Sequence, residues 1–270
     1  MTSQSPLNFA NQDLRNCSFK GKNLSGADFN GADIRGCDFS HALLQGANFE
    51  RTRTGSTPKQ LIPLVLVAGI VAWLTTNAFS VMIFASLGTT SAEPAWSYVL
   101  ALGISLAIAG AFCGVRVRTR SKSRIGRFAT IISGTASGTL LGFYYGGTTS
   151  NNNPTIAIAG AVFGGVVMAI AIALVHRPFV NLTVAVGGTV ASYGFAFFIG
   201  AISFAHISVL RLMTGVVFAS LSVAYLWLTI NSLTLVVREI KEACGTSFKG
   251  ADLTDAKFDR NYIEDAELRH

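Results

Sequence analysis

From Phe9 onward a large apolar residue returns at every fifth position: Phe9, Leu14, Phe19, Leu24, Phe29, Ile34, Phe39, Leu44 and Phe49. Two positions earlier stands a small residue in most repeats, as at Cys17, Ala27, Ala32, Cys37, Ala42 and Ala47. One position earlier Asn or Asp dominates, at Asn8, Asp13, Asn23, Asp28, Asp33, Asp38 and Asn48. The pattern returns near the other end as Phe248, Leu253, Phe258, Ile263 and Leu268. A period of five fits neither the 3.6 of an α-helix nor the 2 of a strand. It fits a chain that turns a corner once per pentad, with the large and the small residue inward and the other three in water. Between the two runs the pattern is different: long apolar stretches, each able to span the roughly 20 residues of a bilayer core. Six spans are read, at 61–88, 95–115, 128–147, 155–175, 180–203 and 207–237.

The repeats GADFN at 26–30, GADIR at 31–35, GANFE at 46–50 and GADLT at 250–254 resemble the pentapeptide-repeat family, whose motif is A(N/D)LXX. The resemblance implies a right-handed quadrilateral β-helix with about four pentads per coil. Phe alternates with Leu or Ile, so such a coil stacks Phe9, Phe29 and Phe49 as one ladder and Phe19 and Phe39 as another. Five C-terminal pentads are little more than one coil and could hardly bury an interior alone. The expected fold is therefore a six-helix transmembrane α-bundle inserted into a single β-helix formed by both termini. Its parts are 1–55 and 241–270 for the β-helix and 56–240 for the helices. Insertion at a solenoid corner is tolerated because each coil contacts only its neighbours.

Charge supports this partition. Half of the residues are hydrophobic and 13% charged, against about 25% in soluble domains. Residues 61–237 hold eight basic residues and one acidic one, Glu93. Arg116, Arg118, Arg120, Lys122, Arg124 and Arg127 crowd the loop after the second span; Arg177 follows the fourth, and Arg238 and Lys241 the sixth. By the rule that basic loops stay inside, both termini are cytoplasmic. Arg211 breaks the pattern and is read as snorkelling to the outer interface. The polar, repeat-bearing N-terminus argues against a cleavable signal peptide.

Glycine spacing suggests how the spans pack. Gly134, Gly138, Gly142 and Gly146 form an every-fourth-residue stripe; Gly110 with Gly114 and Gly160 with Gly164 repeat the spacing. Small residues at i and i+4 let backbones approach in lipid, which is favoured over a pore lining. Residues 107–114 and 157–164 are alike, hinting at hairpin duplication. No Asp or Glu falls within any of the six spans, which disfavours proton-coupled transport. Asn77, Asn181 and Asn231 are read as helix-to-helix hydrogen bonding, and His176, His206 and Arg211 as span edges.

No catalytic set, cofactor motif or metal site is read. Cys17 and Cys37 lie one coil apart and fill the small inward position; Cys113 and Cys244 have no ligand spacing. Nucleic acid is not an expected partner, and near-neutral repeat runs cannot imitate DNA. The expected role is that of a non-enzymatic integral membrane protein whose β-helix is a platform for protein contact. Its surface, with Arg15, Lys20, Lys22, Arg35 and Glu50 against Asp252, Asp255, Asp259 and Glu264, suits a protein partner or self-association, a homodimer through the coil end at 268–270 included. Membrane lipid is the other partner. The second reading is a transport or export component for lipid or a small solute. The chain also looks similar to membrane-integrated members of the family, numerous in cyanobacteria, which implies a bacterial plasma membrane or a thylakoid.

Overall fold

In a computed structural model, residues 7–119, 123–174 and 178–259 are described. Ile263 and Leu268 of the repeat pattern, and His176 and Arg177, lie outside them. The chain divides into two compact units, one of residues 1–64 with 241–270 and one of residues 65–240.

The first unit is a coil whose turns take twenty residues. Parallel bridges join Asn8 to Asp28, Asp13 to Asp33, Ser18 to Asp38 and Asn23 to Leu43, four pentads apart each time. The Phe9, Leu14, Phe19 and Leu24 amides donate to the carbonyls of Asp28, Asp33, Asp38 and Leu43 at 2.7–2.9 Å. Between these short pairings the chain turns. The second residue after each large apolar one is left-handed: Gly21, Gly26, Gly31, Gly36, Gly46 and Gly250, but also Asn11, Asn16, His41, Arg51 and Asp255. The following amide returns to the large residue's carbonyl, as Cys17 N does to Leu14 O at 3.0 Å. A left-handed third residue in a four-residue turn is the geometry that glycine and Asn adopt most easily.

The asparagines and aspartates of the motif close the same turn from outside. Asn8, Asp13, Asn23, Asp28, Asp38, Asn48 and Asp252 each accept, through Oδ1, the amide two residues on. This Asx bond fixes the corner locally. It gives the second most regular feature of the sequence its cause.

The coil runs one pentad further than the apolar period indicates. Ile34 N donates to Arg53 O and Gly36 N to Gly55 O, both at 2.9 Å, although Thr54 stands where a large residue is expected. Thr52 fills the small site, its hydroxyl donating to Phe49 O at 2.8 Å. The C-terminal run then takes the next place in the ladder without a slip in register. Asp38 bridges Ser247 and Leu43 bridges Asp252. Asn48–Phe49, here β1, pairs in parallel with Lys257–Phe258, β2.

The second unit is helical. The chain forms α1 (Pro58–Ser86), α2 (Trp96–Arg118), α3 (Arg124–Thr149), α4 (Pro154–Leu174), α5 (Pro178–Ser208) and α6 (Leu212–Ala243). Ser123 caps α3, its Oγ accepting the Gly126 amide at 2.9 Å. Pro154 and Pro178 open α4 and α5, a place where the missing N–H costs nothing.

Five of the six helices, all but α3, are long and apolar enough to cross a membrane. The third expected span, 128–147, thus forms a helix but lacks the apolar character. The reason is composition: six glycines, five threonines, two serines and two tyrosines dilute the apolar residues of α3. Its Gly126, Thr130, Ser133, Gly134, Ser137 and Gly138 are buried, and α3 packs against α2, α4 and α5. A helix shielded by neighbours need not be apolar on its own.

Two other boundaries change the reading. Helix α2 continues to Arg118, so Arg116 is helical rather than part of a loop. Helix α6 continues to Ala243, so an acidic residue, Glu239, lies on the helix beyond the expected end at 237.

Candidate interaction surface and helix interior

The coil interior is a close-packed column of rings. Phe9, Phe29, Phe49 and Phe258 stack in one ladder, with centroids 4.9–5.2 Å apart and planes within 12°. Phe19, Phe39 and Phe248 form the other, at 5.1 Å. The ladders meet edge to face across the interior, as Phe29 and Phe39 do at 5.5 Å and 88°. The stacking distance is the strand spacing of about 4.8 Å, and both arrangements suit the ring quadrupole. Leu24, Ile34 and Leu44 fill the alternate sides, and Phe29, Ile34, Phe39, Leu44 and Phe49 are fully buried. Leu14 is also buried, and Leu253 packs against the same core.

The outside of the coil repeats with the same twenty-residue period, so like positions form ladders of polar groups. One side carries Asp13, Arg15, Asp33, Arg35 and Arg53. Arg15 and Arg35 each bind the aspartate two residues earlier, at 2.6 Å. Arg15 also reaches Asp33 on the next coil at 4.0 Å. The Arg15 guanidinium, through its side-chain hydrogen bond, lowers the Asp13 carboxyl to about 2. Arg35 lowers Asp33 in the same way, and Thr254 and then Gln45 lower Asp252. Inside, burial pushes the Cys37 thiol up to about 11 and also raises Cys244. The four cysteines are free, and Cys37 Sγ donates to Leu14 O at 2.9 Å.

In the helical unit the glycine stripe of α3 lies on the glycines of α4. A Cβ added at Gly142 would collide with the Gly160 carbonyl, and one at Gly138 would come within 2.7 Å of the Gly164 oxygen. Gly146 faces Ile156 and Gly160, while Gly134 meets Ile172 of α4 and Val184 of α5. The related pair on α2 serves other neighbours: Gly110 faces Ser192 of α5 and Tyr225 of α6, and Gly114 faces Leu228 of α6. The two similar segments 107–114 and 157–164 therefore have different partners. Hydroxyls tie the remaining helices. Ser133 donates to Ala109 O, Ser192 to Tyr225 O, Ser203 to Gly215 O, Ser222 to Ala196 O and Tyr225 to Ala107 O, at 2.7–3.1 Å. Of the asparagines, Asn77 accepts from Tyr144 across helices at 3.3 Å. Asn231 instead donates to Trp227 O on its own helix, which corrects the expectation for that residue.

A buried ion pair joins α2 to α6. Arg116 Nη2 donates to Glu239 Oε1 at 2.7 Å, with side chains 2% and 3% exposed. Arg238 adds a donation to Arg116 O at 3.0 Å. Beside α1–α4 lies an open apolar cavity of about 680 Å³, walled by Met82, Tyr98, Leu102, Leu140, Phe143 and Val162 among others.

A family profile described as pentapeptide repeats matches the chain in eight copies, over residues 8–40 and 32–53. The N-terminal segment belongs to the pentapeptide-repeat family. No curated protein and no solved structure matches the chain.

The pentapeptide-repeat segment brings its large residues together as one interior. What the sequence reading missed lies at its margins. The degenerate pentad at 52–56 hid behind Thr54, although Thr52 still keeps the small position. The sequence reading places Arg116 in a basic loop and does not single out Glu239, which lies just beyond its sixth span. Opposite charges at the ends of two long apolar stretches were the available signal.

Proposed function

We propose that this chain is a non-enzymatic integral membrane protein whose pentapeptide-repeat segment serves as a rigid platform for protein contact. In this reading the twenty-residue coil is a right-handed, four-sided β-helix, continued by the C-terminal run. All six helices cross the bilayer, α3 included because its hydroxyls and glycines face neighbouring helices. Both termini are then cytoplasmic, in keeping with the basic residues at the ends of α2 and α6 and after α4.

The observation that carries the proposal is the polar face of Asp13, Arg15, Asp33, Arg35 and Arg53. A stacked aromatic interior holds that face rigid, and its thiols are buried or half-buried. Such a face presents fixed, alternating charge to a protein, which favours selectivity and encounter rate over raw affinity. The partner is another protein or a second copy of this chain.

The test is the full chain in mild detergent, beside the variant Arg15→Glu/Arg35→Glu/Arg53→Glu, with mass measured by light scattering and partners identified by mass spectrometry. A homodimer or stoichiometric partner lost in the variant is the expected result. An unchanged set of partners and an unchanged mass would contradict it.

One observation favours the second reading, transport, and that is the cavity in the helical unit. Solute uptake into vesicles containing the protein tests it separately.

A further inference from the structure

The cavity combines three properties that narrow what it holds. Its volume, about 680 Å³, is in the range of about 300–1,000 Å³ for small-molecule sites. Its lining contains no Asp, Glu, Lys, Arg or His. Its walls include α1, α2 and α4, each apolar and long enough to cross a membrane, with Leu140 and Phe143 of α3 between them.

The polar groups are unevenly placed. Ser86, Thr89 and Ser97 gather where α1 passes into α2. From Ser97 to Ser105 the groove follows α2 for about 12 Å at 1.5 Å per residue. That deeper part is carbon apart from Ser105, Thr139 and the Tyr98 hydroxyl. Within the groove, Tyr98 and Phe143 set their rings 5.7 Å apart.

The three gathered hydroxyls have already committed their protons. Ser86 Oγ donates to Ile83 O at 2.7 Å, Thr89 Oγ1 to Ser86 O at 2.9 Å and Ser97 Oγ to Pro94 O at 3.3 Å. A hydroxyl has one proton and two lone pairs. What remains for a ligand at that end is a set of neutral acceptors. In a bilayer the apolar part confers little selectivity, because lipid tails are as apolar as the wall. Selection must come from these acceptors and the Tyr98 hydroxyl, and together they suit an uncharged, hydroxyl-bearing group.

We propose that this cavity is a binding site for a lipid with a hydrocarbon chain and an uncharged, hydroxyl-bearing head. The chain lies along α2 between α3 and α4, and the head hydroxyls donate to Ser86, Thr89 and Ser97. The site stands whether or not the ligand is carried across the membrane, and labelling and uptake are independent measurements.

The test uses the full chain in phosphatidylcholine vesicles with a monoacylglycerol carrying a photoreactive diazirine in its chain. Labelling is expected on α2 and α4 peptides that line the cavity. Excess unlabelled monoacylglycerol should reduce it at least fivefold, and the fatty acid of equal chain length should not. Ala101→Trp and Ala161→Trp, which fill the cavity from an exposed and a half-buried position, should each lower labelling by a similar factor. Labelling spread evenly onto exposed α6 positions such as Val216 would overturn the proposal. So would equal competition by the fatty acid, which is read on the unaltered protein and does not depend on either variant folding.

Discussion

Phe29 is the residue on which the coil interior depends most plainly. It stacks between Phe9 and Phe49, meets Phe19 and Phe39 edge to face, and is fully buried. Truncating a buried Phe costs about 3–5 kcal/mol. A carboxylate there adds an unpaired charge that no neighbour can hydrogen-bond. Phe29→Asp is therefore expected to abolish the protease resistance of residues 7–55 under native conditions; full resistance in that variant would contradict the stacked interior. Asp13 makes a different prediction. Its carboxyl ionises at a lower pH folded, about 2, than the reference 3.8. The ionised form is the one favoured by folding, so its contribution is complete above about 3.8 and disappears as pH falls toward 2. Carbon-13 titration of the Asp13 carboxyl should give a midpoint near 2, moving back toward 3.8 in Arg15→Ala. At this scale the sequence was legible because Phe29 sits in a strict period. The Asx bonds and left-handed corners behind the Asn, Asp and Gly positions were not, since periodicity shows where a residue recurs and not what its side chain bonds.

Among elements, the helices were legible in number and approximate place, because long apolar runs leave few alternatives. Their ends were not. The reading stopped α2 at 115 and α6 at 237, where charge begins, yet both helices continue and bring Arg116 and Glu239 into contact. A charged residue at the end of an apolar run looks the same whether it faces water or a partner on another helix. This pair yields a double-mutant cycle. Removing one partner of a buried pair strands the other and costs about 3–5 kcal/mol, whereas replacing both by apolar residues is close to neutral or stabilising. Arg116→Met and Glu239→Leu should each lower unfolding stability in detergent by about that amount, and the double variant should regain most of it. Additive losses would show that the pair does not link α2 and α6 energetically. Helix α3 teaches the converse lesson. Its hydropathy falls short of a membrane span because its glycines and hydroxyls serve neighbouring helices, which a single-segment measure does not register.

Across the whole molecule, the chain begins and closes one repeat coil with a long helical segment in between. The second run enters the ladder where the first leaves it: Phe39 N donates to Ser247 O at 2.8 Å, and Leu44 N to Asp252 O at 2.8 Å. A solenoid allows this because each coil is stabilised by its neighbours and not by chain continuity. The proposed platform depends on it, since the C-terminal pentads are too few to enclose an interior of their own. The measurement that bears most directly on this is a disulfide between Ser40→Cys and Ser247→Cys, whose hydroxyl oxygens lie 3.2 Å apart. A protease site placed in the α3–α4 connection would separate the two halves of the chain. Mild oxidation should leave the cut halves joined on a non-reducing gel and free after reduction, with no such link in either single variant. Halves that separate freely after oxidation would mean that the two repeat runs do not share a coil.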